Sequence, residues 1–170
     1  MCGNLGLNRR AVLAGISALT ASPQVAWAKD FIDLDWSDLL PDGQVSTPPL
    51  LQSLIDHELK NPMSQQPKSF GTRTEWNGQI VRIPGYIVPI DYSGTGVSAF
   101  ILVPFVGACV HVPPPPANQL VFVTTEKPYE NTGLYEAVNV IGQFGTASTS
   151  TQLAKVSYSL AADQIVPYKR

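Results

Sequence analysis

The sequence predicts a small, mainly β domain: a five-stranded barrel of the OB type with one short N-terminal helix packed outside it. Three observations point there. Fifteen Pro and thirteen Gly in 170 residues cut the chain into short extended pieces and leave little room for long helices. Five segments rich in β-branched and aromatic residues, separated by turn residues, fill the second half of the chain. Gly85 falls inside the first and longest of them, where a strand that bends around a small barrel favours a residue without a Cβ.

The first element is not part of the fold. Residues 7–28 read LNRRAVLAGISALTASPQVAWA. Arg9 and Arg10 form a positive head, Ala11–Ala21 a mildly apolar stretch, and Ala26-Trp27-Ala28 a small-x-small cleavage site. The apolar run is too short to span a bilayer. It reads as an export signal, residues 1–28, removed after Ala28. The arginine pair points to the twin-arginine route and a periplasmic destination. Cutting there takes the net charge from -2 to -4. An acidic chain with no basic stretch excludes a nucleic-acid partner, which needs positive charge facing phosphates.

Residues 29–78 form an N-terminal extension. Trp36, Leu39 and Leu40 are spaced to dock one helical turn, and Pro41-Asp42-Gly43 marks a bend. Leu50, Leu51, Leu54, Ile55 and Leu59 lie on one stripe at helical spacing, which predicts a short helix over 48–60. His57 lies off that stripe between two acids and reads as solvated. Residues 63–78 are polar and read as a loop.

The barrel occupies 79–170. Its strands are QIVRIPGYIVPID, VSAFILVPF, QLVFVTT, AVNVIGQFG and TQLAKVSYSLAA. Tyr86, Phe100, Phe105 and Phe122 sit at strand positions and read as core aromatics.

Between the second and third strands stands CVHVPPPPANQ, residues 109–119. With Cys2 lost in the signal, Cys109 is the single cysteine of the exported chain, so it makes no internal disulfide. If Ala108–Val112 is extended, Cys109 and His111 point to one side and reach one metal ion together. Thiolate and imidazole suit zinc, or reduced copper. Two ligands do not complete a site, and Asp91 at the end of the first strand is the candidate third. Pro113, Pro114, Pro115 and Pro116 form a stiff polyproline rod. Asn118 and Gln119 supply amides that hold the loop. Two other readings stay open: a purely rigid loop, and a thiol nucleophile or redox sensor with His111 as base. Cysteine hydrolases draw that pair from distant segments, and no catalytic residue is assigned.

RIPGYIVPID, FILVPFVGACVHVPPPPANQLV and the closing YSL-A--I-PY resemble a bacterial family known as domain of unknown function 3299. The resemblance covers about residues 32–168. Cys109, His111, the four prolines, Asn118 and Gln119 all match its C-x-H-x-P-P-P-P-x-N-Q signature, and the family carries an acid near the place of Asp91. The resemblance implies an exported OB-like barrel, not membrane-spanning, encoded beside ABC-type permeases, in some cases in clusters induced by zinc shortage. The expectation is an accessory protein of a transition-metal transport system, zinc first. The alternative is an interaction module that docks such a permease through its proline-rich loop.

Overall fold

The computed structural model describes residues 31–43, 66–69, 71–109 and 114–169. The expected signal, the helix over 48–60 with His57, and His111 and Pro113 lie outside these residues. The strands are β1 (Ile32–Asp33), β2 (Ile80–Ser93), β3 (Gly96–Val103), β4 (Val121–Tyr129), β5 (Ala137–Ser150) and β6 (Lys155–Pro167). A 3-10 turn, Ala117–Gln119, precedes β4. No helix among the described residues is long and apolar enough to cross a membrane.

The barrel closes in the order β2-β3-β4-β6-β5 and back to β2. All its pairs are antiparallel except β4–β6. This is OB connectivity, as expected. β2 serves two neighbours in turn: residues 80–86 pair with β5 and residues 86–93 with β3. Gly85 sits at the change of partner. A Cβ there would stand 2.6 Å from Leu102 Cγ and 3.0 Å from the Val103 carbonyl oxygen, so the two strands pack too closely for any side chain.

Several strand boundaries differ from the sequence reading, β4 and β6 running on to Tyr129 and Pro167. The last strand starts at Lys155, because Thr151 and Ala154 close a turn through an N–H···O=C bond of 2.9 Å. The Thr151 hydroxyl also bonds within that turn. β5 in turn runs on to Ser150. β1 was not expected. It pairs in parallel with Val81 and Arg82 of β2, on the flank that β3 does not reach.

Two apolar cores follow from strand alternation. The barrel interior takes Val81, Ile83, Ile87, Phe100, Leu102, Val138, Val140, Tyr158 and their neighbours. The extension plugs one end: Leu34 and Leu39 belong to the same core, and the Tyr158 hydroxyl donates to the Leu39 carbonyl at 2.8 Å. The expected docking of Trp36, Leu39 and Leu40 is therefore present, as turns in place of a helix. The second core lies on the barrel's outer face. Val88, Ile101 and Val103 point outward there and are covered by Ala108, Cys109, Leu120, Ala154 and Val156. This explains why Ile101-Leu102-Val103 is apolar on both faces.

Candidate functional site

After β3 the chain folds back over the outer face of β2 and β3. Cys109 sits at the bottom of this covering loop, 1% exposed, in the second core. Its backbone is left-handed, with φ of 69°. The alternation expected of an extended 108–112 segment therefore breaks at Cys109, and the shared side for Cys109 and His111 does not follow from it. Left-handed backbone is uncommon for a residue with a Cβ and costs about 1–3 kcal/mol unless neighbours enforce it. One neighbour is identifiable. The Tyr135 hydroxyl donates to the Ala108 carbonyl at 2.8 Å, and Tyr135 is itself left-handed, with φ of 63°.

Burial pushes the Cys109 thiol up from 9.0 to about 12. At ~1.4 kcal/mol per pH unit, this disfavours the thiolate by about 4 kcal/mol. A nucleophile needs the opposite surroundings, electropositive and partly open. A metal ligand here would start about a thousandfold behind an exposed thiolate.

Asp91 lies at a bulge in β2, three residues beyond Val88, and is exposed. Its Oδ1 accepts from the Tyr92 backbone N–H at 2.9 Å. No group of three or more His, Cys, Asp or Glu converges among the described residues.

Two prolines of the rod are walled in. Pro114 and Pro115 are buried. Gln66 reaches across to hold them, donating from Nε2 to the Pro115 carbonyl at 2.9 Å and to the Lys155 carbonyl at 2.8 Å. Its Oε1 accepts from the Lys155 N–H at 2.9 Å. Asn118 and Gln119 were expected to bond the backbone that the prolines leave unpaired; the bonds seen across to other segments run elsewhere. They tie the loop to the extension: Asn118 Nδ2 donates to Gly71 O at 3.1 Å and Gln119 Nε2 to Trp36 O at 2.8 Å. Their carbonyl oxygens are buried with no donor among the described residues. Gln66 was not legible in advance, because it stands in a polar stretch with no period.

A groove opens around the corner from this loop. Trp36, Pro84, Gly85, Tyr86, Pro104, Ala137 and Tyr168 line a hollow of about 610 Å³. A second hollow of about 310 Å³ shares Pro84 and Tyr168 with it and continues past Asp33, Asp35, Arg82 and Asn139. The indole N–H of Trp36 donates to the Pro84 carbonyl at 2.8 Å, which fixes the ring at the groove wall.

The family profile "Protein of unknown function (DUF3299)" matches residues 36–167. Among solved structures, a DUF3299 family protein from Pseudomonas aeruginosa PAO1 superposes with a TM-score of 0.74 at 34% identity, covering 82% of this chain and 97% of that one. No curated protein matches.

Proposed function

The chain belongs to the DUF3299 family, and within it we propose that it is an exported, non-catalytic accessory module that docks a cell-envelope transport system, an ABC-type permease by the family resemblance. The observation that carries this is the burial of Cys109. The one residue whose chemistry suggests catalysis is sealed in an apolar core and held neutral. The loop around it is cross-tied to three separate segments. That is how a scaffold is built, and a scaffold presents a surface. Pro114 and Pro115, being buried, are not part of that surface. The test is alkylation of Cys109 by iodoacetamide at pH 8 in the folded protein. Modification only after unfolding is expected. Rapid modification in native buffer would return the thiol to the chemistry.

A second reading has one observation in its favour. Strained backbone persists where function needs a side chain held in place, and Cys109 is held that way. Zinc, or copper(I), would then be ligated by Cys109 with His111, and the ion's charge would replace the thiol proton. Asp91 has little support as the third ligand, since it is exposed and bonded to its own neighbour. Zinc and copper(I) titrations of the reduced wild type, Cys109→Ser and His111→Ala decide between the readings. One-to-one binding lost in both variants would establish the metal. No binding in any of the three, all folded, leaves docking.

A further inference from the structure

We propose that the groove between Trp36, Tyr86 and Tyr168 takes an extended, proline-bearing segment of a partner protein, with a basic residue at the Asp35 end. This rests on the docking reading and names its surface.

The lining carries the argument. Three aromatic rings and two prolines, Pro84 and Pro104, form the walls, and Gly85 contributes backbone without a side chain. Aromatic-lined grooves of this kind recognise polyproline II segments, whose rings pack flat against aromatic faces at little entropic cost. Such a segment has no internal hydrogen bonds, so its carbonyls look outward for donors. The groove holds donors in reserve. The hydroxyls of Tyr86 and Tyr168 and the amide of Asn139 make no hydrogen bond among the described residues. Trp36, by contrast, has spent its N–H on Pro84, so its contribution is a positioned apolar surface.

Tyr168 is 49% exposed and belongs to both hollows. It marks where the apolar part meets the charged part. There Arg82 pairs with Asp33, and the Asp35 carboxylate has no cationic partner among the described residues. One uncompensated carboxylate at the end of an apolar groove attracts a lysine or arginine and repels an acid. It thereby fixes the direction in which the segment lies.

The experiment is fluorescence anisotropy with the full protein. The probe is a fluorescein-labelled peptide bearing a Pro-Pro-Leu-Pro core and a terminal arginine pair. A second probe replaces the arginines with glutamates. Saturable binding of the arginine peptide is expected. Tyr168→Ala should weaken it about tenfold or more, and Asp35→Lys should shift preference toward the glutamate peptide by a similar factor. Both residues are exposed, so both variants should keep the wild-type melting temperature. Cys109→Ser should bind as the wild type does. No saturable binding to folded protein overturns the groove assignment, as does binding indifferent to Tyr168→Ala. Sedimentation of the wild type as a dimer that Tyr168→Ala dissociates would also overturn it, by making a second copy the occupant. The docking reading fails separately: one-to-one zinc binding at Cys109 would sink it whatever the peptide does, and loss of the groove alone would leave it standing.

Discussion

Cys109 is where sequence chemistry and structural chemistry part company. A thiol two residues from an imidazole suggests a ligand pair, but the strand that would align them bends at the thiol itself. Periodicity arguments assume regular backbone, and a left-handed residue carries no warning in an apolar run with glycine nearby. The buried state of the thiol makes a pH prediction. Its folded pKa lies near 12 and its ordinary value is 9.0. Below pH 9 both folded and unfolded forms are neutral and the thiol's contribution is fully present. Between about pH 9 and 12 only the unfolded chain releases the proton, so stability falls, by up to about 4 kcal/mol from this group. Burial also raises Tyr158, and burial with the Glu136 bond raises Tyr129 to about 12, so both tyrosines act in the same alkaline direction. Urea midpoints measured from pH 8 to 11 should decline, and Cys109→Ala should flatten part of that decline. A second residue-scale prediction concerns Asp91. Asp91→Ala should leave stability within ~0.5 kcal/mol, as thermal melts would show, because the side chain is exposed and holds only its neighbour's amide.

At the scale of elements, the five barrel strands were legible because alternation and turn residues announce them. Gly85 marked the point where the first strand is most crowded: its neighbour Leu102 leaves no space for a Cβ. Gly85→Ala should cost about 1–3 kcal/mol by overpacking, read as a lower urea midpoint with unchanged slope. The covering loop was only half legible. Its stiffness follows from four consecutive prolines, and its amides were expected to hold it. Its burial was not foreseeable, since an outer face with a second core looks in sequence like any doubly apolar strand. Gln66 and Tyr135 were missed because each acts through long-range bonds, and a single residue has no pattern. Tyr135→Phe removes the hydroxyl that secures Ala108. The variant should lose about 1 kcal/mol, and iodoacetamide should reach Cys109 faster in native buffer than in the wild type. Equal rates would mean that other contacts hold the bend.

At the scale of the molecule, the extension and the barrel are one folding unit. A boundary at residue 78 or 79 is readable from composition, yet Leu34 and Leu39 lie in the barrel's own core. Gln119 and Tyr158 spend hydrogen bonds on extension carbonyls. Burying two leucines is worth about 1.5–3 kcal/mol each, a large share of the stability of a small domain. A fragment of residues 79–170 should therefore lack the near-ultraviolet circular dichroism of a packed core, while the protein from residue 29 onward should show it. The sequence announced the docking of Leu39 but not that of Leu34, which stands alone between Asp33 and Asp35 and carries no period.

β1 is only two residues long, but it lies along the half of β2 that β3 does not cover. β2 spends its first half bonded to β5 on one flank, and β3 does not begin to pair until Tyr86. On the other flank, Ile32 and Asp33 lie against Val81 and Arg82, and the Leu34 amide donates to the Arg82 carbonyl at 2.9 Å. Without them, that stretch would offer unpaired backbone to any passing strand, the usual seed of edge-to-edge growth. The dipeptide thus works as a stopper. Its loss would be felt first as turbidity in a concentrated sample, before any change in the barrel's own packing.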